Sequence, residues 1–516
     1  MVAPLYCFVL DGDVHCVSVE SYQQQPAGPP ASPTQNRERL SIRSKNILYS
    51  LNDPLYSDID LGPELGRNDP HLLLLDEATS QSSSEPHKSL YLPLHTLDLG
   101  ANLANGFVQV KELVARVLPL VDEKNVQVKQ LTGGITNMLL QCKDLALGIT
   151  LLMRVYGQGT NLIIDRHREF VLHLVLNSLG LAPPIYARFH NGLVYGFFPG
   201  RLLLPEELQL EDYFPLIAQQ LGNWHSRIKS KEIESGVEKL RRLTLKHKRR
   251  SLLSYLPTRL PRLGPTITVS TSEAGIEEKA SNGTMSSEPH RSNTSSTKKK
   301  RSISTVWELL EDWINIVPVI PELVDSFAKN LPGVDVTEHT IRDVLSDEFE
   351  YMRDVLTNLD SPVVSCHCDL LSGNIIVPLE PMKSKEGLPD LKDNNIQFID
   401  YEYMLPAPRA FDIANHLAEW QGFDCNTAAI PDPSPLNPVM VQWVKGYLNN
   451  LDASESQVKK LIDEIALFYG MPGFYWGVWA MIQLEISTID FDYANYGNTR
   501  FQEYWNWKLK HKQRNH

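Results

Sequence analysis

Val363-Val-Ser-Cys-His-Cys-Asp-Leu-Leu-Ser-Gly-Asn-Ile-Ile-Val377 is the stretch on which the reading of this chain turns. An apolar strand enters, a polar loop carries His367, Asp369 and Asn374, and an apolar strand leaves. A second strand, Ile396-Gln-Phe-Ile-Asp400, follows and ends on an acid. Taken singly, Asp and Asn are ordinary turn formers. Together, between apolar strands, they make a His-x-Asp-x4-Asn loop with a strand-terminal Asp, the arrangement of a phosphotransferase catalytic loop. The spacing has a physical reason. Asp369 is placed to accept a proton from a hydroxyl nucleophile. Asn374, across the short loop, reaches a metal, and Asp400 on the neighbouring strand binds the same Mg²⁺-triphosphate. A donor set made of oxygen alone suits hard Mg²⁺.

N-terminal to this loop the pattern is that of a small β-rich lobe. Val108 to Val117 has helical spacing. Residues 124–142 alternate on both sides of Leu131-Thr-Gly-Gly-Ile-Thr-Asn137 and read as a hairpin, whose paired glycines permit close backbone approach to a phosphate. Ile149–Tyr156 is a third strand, interrupted by Arg154, a cation suited to phosphate. Asp165–Leu179 is a helix whose Glu169 is placed to hold Arg154 as an ion pair; the plainer alternative for the two is a surface salt bridge of little worth. Leu193–Phe198 runs into Pro199-Gly200, a hinge signal.

Beyond the hinge the chain reads as helical, from 205–229 and again from Val306 to the end. Near the C-terminus stands an aromatic group, Phe474-Tyr475-Trp476-Gly-Val-Trp479, then Phe491, Tyr493 and Tyr496. Trp476 and Trp479, at i and i+3, share a helix face. In isolation such a group is more often core. Beside a phosphotransferase loop it suggests a small cationic alcohol as substrate, because aromatic faces attract cations.

Composition sets the outer limits. The 516 residues allow two lobes or domains plus attachments, with 42% hydrophobic and 22% charged residues in ordinary globular proportion. With 49 Lys and Arg against 62 Asp and Glu, the chain carries −13 and is not a generic nucleic-acid binder. Six scattered cysteines suit a reducing compartment. Cys366-His367-Cys368 lacks a second ligand pair for zinc. The first ten residues lack the basic flank of a signal peptide. Ile465 to Leu484 is uncharged and long enough to cross a bilayer, but Gly470, Pro472 and Gly473 favour a buried helical hairpin. The expectation is a cytoplasmic protein.

The resulting division is 1–98, a disordered N-terminal extension; 99–200, the N-lobe; 201–239, the start of the C-lobe; 240–303, a disordered basic and Ser-rich insertion; and 304–516, the rest of the C-lobe. The insertion's basic ends, RRLTLKHKRR at 241–250 and KKKR at 298–301, are suited to weak contact with an anionic membrane. A solvated loop is the plainer reading.

With these residues in view, the sequence resembles the choline/ethanolamine kinase family, and ethanolamine kinases most. The resemblance covers about residues 105–240 and 304–510. It rests on GGITNML at 133–139, LLMRVYG at 151–157, CHCDLLSGNII at 366–376, FIDYEY at 398–403, FDIANHLAEW at 411–420 and FYWGVWAMIQLEISTIDFDY at 474–493. TNLIIDRHREF at 160–170 and the STIDFDY end lean toward the ethanolamine kinases. The resemblance implies an α+β, eukaryotic protein-kinase-like bilobal fold with a small β-rich N-lobe and a large helical C-lobe. It implies ATP and Mg²⁺ as cofactors and ethanolamine as substrate. The product would be phosphoethanolamine, at the first step of the CDP-ethanolamine route to phosphatidylethanolamine. Carried over by motif, Asp369 is the catalytic base, and Asn374 and Asp400 are metal ligands. Gly133, Gly134, Ile135, Thr136, Asn137, Met138, Arg154 and Glu169 serve the nucleotide, and Asp369, Glu419, Trp476, Trp479, Phe491 and Tyr496 the substrate. Cys368 stands where the family usually has Asn, and Met404-Leu-Pro-Ala-Pro408 where it is usually aromatic. A choline or dual-specificity kinase is the alternative within the same chemistry. A weakly active, lipid-responsive binding protein is the alternative of another class, and the intact Asp369, Asn374 and Asp400 argue against it. The oligomeric state is left open, a dimer included.

Overall fold

The structure, a computed structural model, describes residues 6–10, 13–17, 73–74, 90–92, 95–98, 105–131, 137–157, 163–196, 198–254, 303–379, 387–487 and 491–515. In chain order the strands are β1 (Tyr6–Leu10), β2 (Asp13–Val17), β3 (Leu73–Leu74), β4 (Leu90–Leu92), β5 (Val126–Leu131), β6 (Asn137–Asp144), β7 (Ile149–Tyr156), β8 (Ile185–Phe189), β9 (Gly192–Tyr195), β10 (Arg201–Leu202), β11 (Val363–Cys366), β12 (Ile375–Val377), β13 (Gln397–Phe398) and β14 (Leu405–Pro408). The helices are α1 (Val108–Val117), α2 (Arg166–Ser178), α3 (Phe214–Arg227), α4 (Ser230–Ser254), α5 (Val306–Ile316), α6 (Pro321–Asn330), α7 (Ile341–Thr357), α8 (Arg409–Ala418), α9 (Pro438–Tyr447), α10 (Glu455–Phe468), α11 (Met471–Ile486) and α12 (Tyr493–Asn515).

The N-lobe is a sheet in the order β3-β4-β8-β9-β7-β6-β5, antiparallel except where β4 runs parallel to β8. Alternation along β7 buries Leu151, Met153 and Val155 against Val110 and Val114 of α1 and Leu140 of β6. Arg154, on the opposite face of the same strand, therefore points away from that core. On that side lies α2, started by Asp165, whose side chain accepts from the His167 and Arg168 amides.

Gly200 is the crossing point between lobes. Its φ is +149°, and a Cβ there would lie 2.4 Å from the Val377 carbonyl oxygen. Only glycine lets β10 lie this close beside β12, the strand that leaves the catalytic loop. Beyond it the C-lobe helices close around one large core in which Trp224, Trp313, Trp443 and Tyr475 are fully buried. The uncharged stretch is the end of α10 and most of α11. The helical run from Glu455 to Ile486 is 83% buried within the fold over its most apolar window, a core hairpin as expected.

Two boundaries differ from expectation. Within 1–98, Leu90–Leu92 is a strand of the N-lobe sheet, and Tyr6–Leu10 with Asp13–Val17 forms a hairpin whose Phe8 pairs with Arg201. Within 240–303, the helix α4 continues to Ser254. Both misreadings came from weighing Pro, Ser and basic content above short runs that are local strand and helix formers.

Candidate active site

The catalytic loop is built on Asp412. This fully buried acid, in the first turn of α8, accepts from the amides of His367 and Cys368, each at 2.8 Å. His225 of α3 lies 2.8 Å from the same carboxylate and bridges it to the Tyr447 hydroxyl. Burial opposes ionisation of Asp412, but His225 and these amides outweigh it and hold the carboxyl below its usual range. Cys366 completes a cluster with His225 and Asp412 whose ligand-type atoms lie within 4.8 Å. The Asp412 oxygens are taken up by the loop, so the cluster acts as a brace. One turn along α8, Asn415 donates to the Cys368 carbonyl at 2.8 Å. Cys368 is thereby held in the left-handed region at φ 64°, a conformation that disfavours side chains other than Asn, Asp or Gly.

This clamp presents Asp369. Asn374 donates to its backbone oxygen at 2.8 Å and to Oδ2 at 3.2 Å, so the two ends of the loop are tied together. Burial first, then the charges of Asp400, Glu419 and Glu402, push the Asp369 carboxyl well above its ordinary range, with the Asn374 bond opposing. His367, sandwiched by Trp224, Phe398 and Tyr401, bonds through Nε2 to the Ile399 carbonyl at 3.0 Å and so fixes the segment that carries Asp400. Asp400 too sits at φ 64°.

Facing this loop, Arg154 Nη1 lies 2.7 Å from Asp400, 3.2 Å from Glu169 and 3.6 Å from Glu402. The expected Arg154–Glu169 pair is present, and both partners are largely buried, which takes it out of the class of weak surface bridges. Arg166 joins Glu169 at 3.0 Å and Glu402 at 2.9 Å, with its guanidinium over the Tyr156 ring. Asn137 bonds both Glu402 and Arg166 at 3.0 Å. Met138 is half-buried against the N-lobe core. Gly133, Gly134, Ile135 and Thr136 lie outside the described residues. Asp400, Glu169 and Glu402 outnumber Arg154 and Arg166, leaving one net negative charge. Burial lifts Asp400 to about 6, against the pull of Arg154.

The aromatic group lines the other side. The Trp476 and Trp479 rings meet edge to face at 5.4 Å. Trp476 donates to Asn415 and Trp479 to the Tyr403 hydroxyl, each at 2.8 Å. Phe491 packs on Tyr496 at 5.7 Å. Glu419, expected to face a substrate ammonium, lies 3.2 Å from the fully buried Arg500, which also contacts Glu503 at 3.1 Å. Asp424, five residues further along, is exposed.

Sequence reasoning assigned no role to Arg166, Glu402, Tyr403, Asp412, Asn415 or Arg500. Asp412 and Asn415 stand at i, i+3 on one face of their helix, the signal that could have found them. Arg500 showed only its i, i+3 neighbour Glu503, because its other partner, Glu419, lies 81 residues away.

The sequence pattern of the choline/ethanolamine kinases matches residues 128–505. The chain is 28% identical over 410 residues to ethanolamine kinase 1 of Mus musculus, covering 77% of this chain and 88% of that one. It is 28% identical over 400 residues to ethanolamine kinase 2 of Rattus norvegicus, covering 76% and 79%. Among solved structures, an ethanolamine kinase of Plasmodium vivax is similar with a TM-score of 0.52 at 27% identity, covering 76% of this chain and 86% of that chain.

Proposed function

Since the chain belongs to the choline/ethanolamine kinase family, we propose that it transfers the γ-phosphoryl group of ATP to the hydroxyl of ethanolamine, giving phosphoethanolamine. The observation that carries this reading is the joint placement of Asp369, Asn374 and Asp400 in one loop region beside the Trp476–Trp479 wall. It supports a small cationic alcohol as acceptor in a phospholipid headgroup pathway.

In this reading Asp369 accepts the hydroxyl proton, and its elevated carboxyl falls back into range when a cationic substrate enters beside it. Arg154, held by Glu169, neutralises phosphate. Trp476 and Trp479 present aromatic surface to the ammonium group. The surplus negative charge around Asp400 and the oxygen donors of Asp400 and Asn374 fit Mg²⁺, which these two residues would hold. When bound, the metal supplies charge neutralisation on the transferring phosphoryl group. Gly133 to Met138 belong to the same reading as the phosphate-cradling turn. The buried apolar hairpin and the free thiols of Cys142, Cys366, Cys368 and Cys425 support a cytoplasmic location. The insertion's basic ends support weak contact with anionic membranes.

The test is phosphorylation by the purified protein with radiolabelled ATP, supplying ethanolamine and choline separately. Phosphoethanolamine as the favoured product is expected. Choline used as well or better would move the assignment to the choline or dual-specificity alternative, and no transfer to either would overturn the kinase reading.

A further inference from the structure

The helix that precedes the polar insertion and the residue at which the described chain resumes after it both meet the first turn of α2. Arg168, only 3% exposed, donates through Nη1 and Nη2 to the two oxygens of Glu234 at 2.5 and 2.7 Å. Glu234 lies in α4, the helix that leads into the insertion. The same Nη2 donates to the Ile303 carbonyl at 2.9 Å, where the described chain resumes. Asp165 uses one oxygen to cap α2 through the His167 and Arg168 amides, at 3.1 and 3.3 Å, and the other to pair with Arg241 of α4. Burial opposes the charge on Asp165, but Arg241 and Arg168 hold its carboxyl below the usual range.

The same turn carries the phosphate-site residues. Arg166 and Glu169 face Glu402 and Arg154. Neighbouring helix residues point about 100° apart, so a bond at 168 fixes the roll of the helix and with it the aim of 166 and 169. A carboxylate roughly 6 Å from the helix axis moves about 2 Å for a roll of ~20°, enough to break a contact of hydrogen-bond length.

We propose that Arg168 and Asp165, with Glu234 and Arg241, are positioning residues for the nucleotide site: α4 and the returning chain at Ile303, which flank the insertion, brace α2 and so hold Glu169 and Arg166 against Arg154 and Glu402. This rests on the kinase reading. None of the four brace residues is assigned to touch the substrates. Their effect is therefore confined to the phosphate side and leaves the ethanolamine side unchanged.

The test uses the full-length protein and three variants, Arg168→Glu, Glu234→Arg and the charge-swapped double. Binding of Mg²⁺-ATP is followed by calorimetry, with KM measured for ATP and for ethanolamine. Each single variant is expected to weaken Mg²⁺-ATP binding about fivefold or more and to leave the KM for ethanolamine within about twofold, with the double variant regaining most of the loss. Should a single swap fail to fold, the isosteric Glu234→Gln carries the same expectation at about threefold. Folded variants that bind Mg²⁺-ATP like the parent, or that lose both substrates equally, would overturn the positioning role. A parent protein that binds no Mg²⁺-ATP would overturn the kinase reading and this inference with it.

Discussion

Arg154 and Asp400 are joined across the two lobes at 2.7 Å, one on a strand of the N-lobe sheet and the other just past β13. In the proposed reaction each has a second partner, phosphate for the guanidinium and a metal for the carboxylate. On the proposed function the pair holds two ligand-seeking groups in register, and nucleotide binding would exchange their mutual contact for contacts to the nucleotide. Glu169, 3.2 Å from the same Nη1, would keep Arg154 in place during that exchange.

Arg154→Lys tests this arrangement. A single ammonium cannot reproduce a guanidinium's fixed fork toward Asp400, Glu169 and Glu402. The KM for ATP is expected to rise about tenfold, or ~1.4 kcal/mol, with little change in the KM for ethanolamine. Steady-state kinetics with each substrate varied in turn checks it; an unchanged KM for ATP would remove Arg154 from the phosphate site.

Asp369→Asn is expected to lower kcat by at least about a hundredfold, the low end of general-base effects. The fold should be retained. Asn keeps the shape of the side chain, and Asn374 still has the backbone oxygen of residue 369. The sign of the stability effect follows from the raised carboxyl. A folded-state pKa above the unfolded one contributes stability at low pH and loses it as pH rises through the folded value. At neutral pH the unfolded chain's carboxyl is ionised while burial opposes that charge in the fold, so the group costs stability and the variant should melt at or above the parent temperature. Thermal melts and initial rates on the same preparation check both halves, and a variant with near-parental turnover would show that another group takes the proton.

The two lobes, the strand pair of the hairpin and the polar loop carrying Asp369 and Asn374 were legible because each rests on local pattern: alternation, or a polar loop between apolar strands. What stayed hidden were the partners. Glu419 looked like a free acidic wall because nothing near it in sequence is basic, yet the fold brings Arg500 to it. Asp412 looked like one polar residue in a helix, and only the packing of α8 beneath the loop shows it holding two amides. The basic run at 241–250 was read as unstructured from charge alone. Charge density does not prevent a helix whose preceding turn is fixed by Glu234. Long-range pairing of this kind has no one-dimensional signature.

The buried histidines should withdraw stability as the solution is acidified. Burial holds His173 and His416 down to about 4, against the pull of their bonds to the Pro183 and Leu370 carbonyls. In the unfolded chain these rings take up protons near 6.5. Between about 6.5 and 4 the unfolded state therefore binds more protons, so stability is full above that window and is lost as pH falls through it. A His173→Gln, His416→Gln double variant should start less stable at pH 7.5 and lose less between pH 6.5 and 4.5 than the parent. Melting temperatures across that range check it, and parallel curves would show that other groups govern the acid limb.

The substrate preference is expected to depend on Glu419. Glu419 and Glu503 share one cation, Arg500, so this wall carries two carboxyl groups to one guanidinium, with Glu419 close enough to act on Asp369. Burial pushes the Glu419 carboxyl up, with Arg500 opposing, and an arriving ammonium group would favour its ionised form. A primary ammonium has three N–H donors to give, whereas a trimethylammonium offers charge alone. The parent enzyme should therefore favour ethanolamine over choline by at least about tenfold in kcat/KM, or roughly 1.4 kcal/mol. Glu419→Gln removes the charged acceptor and keeps the shape. It should lower kcat/KM for ethanolamine about thirtyfold, the order of one charge-assisted hydrogen bond, and for choline only about fivefold. Side-by-side kinetics of both alcohols on both proteins decides the matter. Equal losses would confine Glu419 to holding Arg500, and a parent that prefers choline would move the substrate assignment while leaving the roles of Asp369, Asn374 and Asp400 standing.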